Sequence, residues 1–441
     1  MVNTNTNIIY KYINYITLAC IVPIGYFAPL GEWLLISFFS LSIIISYIIN
    51  PTKLNLNNLF LYLSSILIVL ASLFWTINPE RTINVIGPIS GIIIAIYITL
   101  HIRKIKSIKN LENIIGIPLI LTSLCIFADI TLNTGIRSSL ASLAGDLPTS
   151  KSAGFGRGLI VITMIMPITV SLYLYKKSYF RALFLLLLVC IIVLLGPNET
   201  AKLALMSTLI SSIIIYFLGP KSFLFFGILS LLYILCLPII STKIFSKLGQ
   251  INYDINTMIV CTESYHGPSM PQSNKWYKLP NINKCSRHFE WQETPLGGSI
   301  IHRLLVWEYV GKQIIKKPFL GHGAGTSRLI GQNIILNVPN SAQNIKGGVP
   351  LHPHNNYLQI WLEFGILGII IASFIWVKIL RFGFIKRKES YVLGTGICST
   401  IITIFVVSNL SFGVFQAWWM ASVGLIFLVA LQSAEDKNKT A

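Results

Sequence analysis

Residues 201–240 read AKLALMSTLISSIIIYFLGPKSFLFFGILSLLYILCLPII, two apolar runs (201–218 and 222–240) joined by Gly219, Pro220 and Lys221. Each run approaches the roughly 20 apolar residues that cross a bilayer's hydrocarbon core. Backbone amides in hydrocarbon must be satisfied within their own segment, so such runs are helices. Working outward, similar runs occupy 10–28, 32–49, 59–75, 84–100, 113–129, 158–175, 180–196, 355–377, 391–409 and 412–431. The fourth is the weakest, interrupted by Gly87, Pro88 and Gly91. The first follows polar, Asn-rich residues and leads at once into the second, which makes it a retained helix rather than a cleaved signal. The pattern predicts an all-α polytopic membrane protein of about twelve transmembrane helices.

Composition agrees. Of 441 residues, 54% are hydrophobic and 11% charged, with mean hydropathy +0.71. A soluble domain carries about a quarter charged residues, so a water-soluble enzyme is excluded. Disorder, which needs low hydrophobicity and high charge, is excluded too.

The net charge of +19 needs no nucleic acid once the loops are laid out. With both termini cytoplasmic, the inner segments carry 17 cations against four acids, including the groups Arg103–Lys109 and Lys386–Lys388. That is the positive-inside pattern of a multi-pass protein of a bacterial inner membrane. The outer side still holds an excess of six cations, which suits either an anionic partner there or solvated lysines in a long loop exempt from the rule.

Residues 241–353 form a long polar insertion, expected in the periplasm between spans nine and ten. It divides the chain into helices 1–9 (1–240), a loop domain (241–353), and helices 10–12 with a cytoplasmic tail (354–441). Within the loop a helix is predicted near 299–316, with Ser299 as its N-cap, an apolar stripe of Ile301, Leu305 and Ile314, and Pro318 as its stop. The Gly-rich loop Gly321-His322-Gly323-Ala324-Gly325 follows. Of seven cysteines, Cys20, Cys125, Cys190, Cys236 and Cys398 lie in apolar runs, where thiols mostly pack. Cys261 and Cys285 lie in the loop, and an oxidising compartment would allow a disulfide between them.

The junction with span ten reads His352-Pro353-His354-Asn355-Asn356-Tyr357-Leu358-Gln359 and runs on to Gly365 and Gly368. Pro353 keeps His352 extended, and Asn355 can cap the following helix. His354 then stands at a membrane boundary just before a helix N-terminus, which disfavours its cationic form and leaves a neutral base. The plainer reading is a pair of interfacial histidines bonded to backbone. Glu363, two turns into the span, is either functional or paired inside the bundle. His322 faces sugar or, more plainly, is solvated; His266, His288 and His302 are loop residues. Tyr357 and Trp361, like Trp418 and Trp419, read as interfacial anchors.

The string His354-Asn355, nine residues, Gly365, two residues, Gly368 resembles the signature of the bacterial O-antigen ligase family. That family shares its domain with O-antigen polymerases and protein O-oligosaccharyltransferases. Arg303, Trp307, Pro318, Phe319, Leu320, Gly321, Gly323 and Gly325 are similar to its second motif. The resemblance implies an inverting, metal-independent glycosyl transfer on the periplasmic face, from an undecaprenyl-pyrophosphate-linked glycan to a hydroxyl, most directly of the lipid A core. It places the family's essential histidine on His354 and an essential arginine on Arg303. A second arginine falls on Lys202, which keeps the charge but loses the bidentate fork; either Lys202 suffices or Arg137 or Arg157 takes the role. His352, Asn355 and His322 are further candidates for holding pyrophosphate or glycan.

The chemistry is consistent with that expectation. Cleaving a sugar–pyrophosphate bond builds charge that fixed cations stabilise, and a hydroxyl acceptor needs a base. No Asp-x-Asp pair suits a metal-dependent transferase, so no cofactor is expected. The expected partners are the lipid-linked glycan, the hydroxyl acceptor and membrane lipids. A polymerase, with a lipid-linked glycan as acceptor, is the nearest alternative. A polysaccharide or lipid transporter without chemistry is the second, although it would place polar groups at several midplane positions, where these spans have few.

Overall fold

A computed structural model describes residues 2–49, 51, 56, 58–102, 108–132, 135–143, 151–245, 298–330, 335–337, 344–346, 349 and 351–435. Every apolar run coincides with a helix. In chain order these are α1 (Val2–Phe27), α2 (Glu32–Ile49), α3 (Leu59–Ala71), α4 (Pro79–Tyr97), α5 (Leu111–Thr131), the short α6 (Ile136–Leu143), α7 (Lys151–Tyr175), α8 (Tyr179–Leu195), α9 (Glu199–Leu218) and α10 (Ser222–Ile240). The loop adds α11 (Gly298–Lys316) and α12 (Ser327–Ile330), and the last three apolar runs form α13 (Asn356–Glu389), α14 (Tyr391–Ser408) and α15 (Ala417–Glu435). Among the described residues, seven segments are long and apolar enough to cross a membrane. One of them, Glu199–Phe245, contains both α9 and α10, and four shorter apolar helices accompany the seven. This is the all-helical polytopic membrane protein the sequence predicts. Among the described residues of the loop a small antiparallel pair, Ile335–Asn337 with Asn344–Lys346, is added.

Helix α7 is apolar all round and lies at the centre of the bundle, with Leu159, Ile162, Ile165 and Ile168 fully buried, as a helix without a polar face must be. It packs on α14 through Gly396, where a side chain would strike Ser171 and the Pro167 carbonyl. Without a hydrophobic drive between helices in lipid, such small residues allow the close approach that holds them.

Several boundaries differ from the sequence reading. Helix α4 runs unbroken through Pro88. Helix α10 continues as a π turn over Ser241–Phe245, so the loop begins later than 241. Helix α11 starts at Gly298, which puts Ser299 inside it rather than at its cap. Pro318 does follow its end.

Helix α13 is interrupted at Gly365 (φ 59°, ψ −150°), and the Gly-rich loop fills the break. There the Ile366 amide donates to the Pro318 carbonyl (2.8 Å), the His322 amide to Leu362 (2.9 Å) and the Gly323 amide to Glu363 (2.9 Å). A methyl on Gly365 would overlap the Phe319 backbone, and one on Gly321 that of Glu363. The positive φ alone costs an L-residue about 1 kcal/mol, so Gly365→Ala should destabilise the fold by on the order of 2 kcal/mol or more. An unfolding midpoint in detergent equal to wild type would contradict this docking.

Candidate functional site

His354 closes the turn into α13 with φ 55°, a region that non-glycine residues rarely occupy. Four hydrogen bonds hold this turn. Its amide donates to His352 Nδ1 at 3.2 Å, and Trp307 Nε1 donates to the preceding Pro353 carbonyl at 2.7 Å. Asn355 caps α13 as expected, accepting from the Leu358 amide at 3.0 Å, while its Nδ2 donates to the Tyr233 hydroxyl at 3.2 Å.

The imidazole of His354 is oriented by α14–α15. Its Nδ1 lies 2.5 Å from the Ser411 carbonyl. A carbonyl only accepts, so Nδ1 carries the proton and Nε2 of the neutral ring is the unprotonated, basic nitrogen. The turn bearing Ser411 is fastened in turn: the Val414 amide donates to Gln359 Oε1 at 3.0 Å.

Burial lowers the pKa of Arg303 to about 10, and among the described residues no carboxylate lies within ion-pair distance of it. Among the described residues no cation sits over the Trp307 ring. The Arg303 guanidinium faces His352, whose pKa is pushed down to about 4, first by burial and then by that charge. His352 Nε2 meets the Gln416 amide at 2.9 Å, Gln416 accepts from Trp418 Nε1 at 3.2 Å, and Arg157 lies 5.3 Å over the Trp418 ring. Arg303, His352, His354, Asn355 and Arg157 therefore belong to one constellation.

A histidine whose folded pKa lies below its ordinary value takes its proton more readily when unfolded. The contribution of His352 is therefore full above pH 6.5 and is lost as pH falls from about 6.5 toward 4. His352→Gln should flatten the drop in melting temperature across that window.

Other candidates are placed differently. Arg137 is tied back, its Nε donating to the Tyr26 carbonyl at 3.2 Å, yet its charge is felt by Arg157. Lys202 stands in the first turn of α9, paired with Glu199 at 3.0 Å and partly exposed. The α8–α9 turn nevertheless approaches Arg157, since a side chain on Gly156 would meet Asn198. His322 is not solvated: it is 8% exposed, its Nε2 3.4 Å from the Gln313 carbonyl. Glu363 takes the paired alternative, accepting from the Gly325 amide at 2.6 Å and from Gln359 Nε2 at 3.0 Å. Tyr357, Trp361, Trp418 and Trp419 are buried rather than interfacial anchors; Trp361 Nε1 donates to the Ile234 carbonyl at 2.9 Å. Cys261, Cys285, His266 and His288 lie outside the described residues. Among the described residues, no three His, Cys, Asp or Glu side chains converge as a metal site would require.

Beside the constellation runs a cavity of about 480 Å³ between α3, α4 and α13–α15, from Asn356 and Phe415 to His101 and Lys378. Its middle is apolar, with Ile68, Val69, Ile93, Phe364 and Ile371 among the walls. Asn356 to Lys378 is about 33 Å of helix, close to the roughly 30 Å thickness of a bilayer's hydrocarbon.

The fold and this constellation define an all-helical membrane protein with His352, His354 and Arg303 gathered at one end of the bundle. Residues 183–373 match the family model described as O-antigen ligase, in line with the motifs quoted above. It is 33% identical over 136 residues to a protein of Rickettsia conorii named "Putative polysaccharide ligase", and 35% identical over 141 residues to a Rickettsia prowazekii protein of the same description. Each match covers 30% of this chain and 32% of the relative, so the chain spans about a third of the length of the curated relatives it matches.

Proposed function

We propose that this protein is a glycosyltransferase that moves a glycan from undecaprenyl pyrophosphate to a hydroxyl of the lipid A core. The reaction is inverting and metal-independent, and it takes place on the periplasmic face of the inner membrane, with twelve spans and both termini cytoplasmic. The observation that carries the reading is the His354 ring, keyed by Ser411 so that its basic nitrogen stands in the same constellation as Arg303. The acceptor hydroxyl attacks the anomeric carbon from the face opposite the pyrophosphate, and its proton passes to His354 Nε2. The sugar–oxygen bond breaks and its electron pair leaves on the pyrophosphate, whose growing charge Arg303 and Arg157 stabilise. In-line displacement inverts the anomeric centre. The apolar cavity beside Asn356 suits a lipid-borne substrate, and Lys202, one turn into α9, would supply a further point charge.

Gene deletion tests the acceptor. Loss of the whole lipopolysaccharide ladder, with polymer accumulating on undecaprenyl pyrophosphate, supports ligation. Core capped by a single repeat would make the chain a polymerase. Purified enzyme should keep its activity in EDTA, and inhibition reversed by Mg²⁺ would overturn the metal-independent route.

A further inference from the structure

At the end of α13 opposite His354, Arg381, Phe384, Ile385 and Lys388 share one face, at the i, i+3, i+4 and i+7 spacing of a helical stripe. With Phe223 of α10 and Glu389 they line a cavity of about 440 Å³. Phe223 and Phe384 pack at 5.0 Å between centroids to form its floor, and Lys388 Nζ hangs 4.6 Å over the Phe384 ring. The one acid in the wall, Glu389, is already held by Lys386 at 2.8 Å. Among the described residues neither Arg381 nor Lys388 has a carboxylate within ion-pair distance. Behind the Phe223–Phe384 floor the buried Arg387 lies 3.8 Å over Tyr391, its Nε without a partner. Positive potential thus converges on an aromatic, lipid-level hollow.

A free anion would want hydrogen-bond donors on every side. This hollow offers cations at its rim and hydrocarbon below, the complement of an anionic phospholipid, and basic pockets between membrane helices bind such headgroups. We infer that the cavity between the start of α10 and the end of α13 is a binding site for an anionic phospholipid. The phosphodiester lies between Arg381 and Lys388, and the upper acyl chain rests on Phe223, Phe384 and Ile385. The site is remote from His354 and does not depend on the transfer reaction.

The test is native mass spectrometry of the full chain released from nanodiscs of phosphatidylcholine containing phosphatidylglycerol. Wild type should retain phosphatidylglycerol. The doubly substituted Arg381→Ala/Lys388→Ala chain, checked as folded by its unfolding midpoint, should lose at least tenfold of it, and Arg381→Lys/Lys388→Arg should keep it. Three results would overturn the site: unchanged retention in the Ala variant, an equal loss in Lys176→Ala/Lys177→Ala, which would reveal only general surface charge, or equally effective competition by soluble glycerol phosphate.

Discussion

His354→Ala should lower glycan transfer by about 10²–10⁴-fold, the contribution of a positioned general base. The variant should still fold, because the turn is held by Trp307 on the Pro353 carbonyl and by the Asn355 cap rather than by the imidazole alone. His354→Gln is the sharper control. It can reach Ser411 but has no basic nitrogen, so it should be as inactive as the alanine variant if proton transfer is what matters. His352→Ala should only reduce activity, because its ring supports the His354 amide without being basic at neutral pH. Equal losses at the two histidines, read as initial rates on reconstituted enzyme, would count against the assignment.

Arg303→Lys tests the second half of the site. Lys keeps the charge but loses the planar fork that grips pyrophosphate oxygens in pairs. A lost electrostatic donor to a developing anion costs about 10²–10³-fold in turnover, and Arg303→Ala should reach that range, with Arg303→Lys intermediate. Lys202→Arg should be tolerated, since Lys202 is a partly exposed point charge already shared with Glu199. Wild-type turnover in Arg303→Lys would mean that the guanidinium touches no leaving group.

The spans were legible because a bilayer leaves a chain few options: twelve apolar runs became helices, and the charged residues fell at their ends. Motif spacing singled out His354 and Arg303 as candidates, and local chemistry gave the Asn355 cap, which the structure forms. What sequence could not reveal is what folds against what. The Ser411 carbonyl, Gln416 and Trp418, which orient the histidines, lie on a turn more than fifty residues away that carries no chemical signature of its own. The Gly-rich loop read only as a connector carrying His322. Its glycines instead let backbone dock on backbone at the Gly365 break, which also buries His322. Glu363 was open between a functional acid and a paired one, and it takes the pairing by accepting from that same loop. The buried tryptophans were misread for a related reason: composition marks an aromatic as amphipathic but not which neighbour takes its N–H.

The most direct measurement is transfer by the purified chain in proteoliposomes. It would be supplied with an undecaprenyl-pyrophosphate-linked glycan and lipid A core in the presence of EDTA, and the product's anomeric configuration would be read by NMR. The account predicts glycan joined to the core with inverted configuration in wild type, and none above background in His354→Ala. Retained configuration, or equal transfer by the His354→Ala protein, would contradict it.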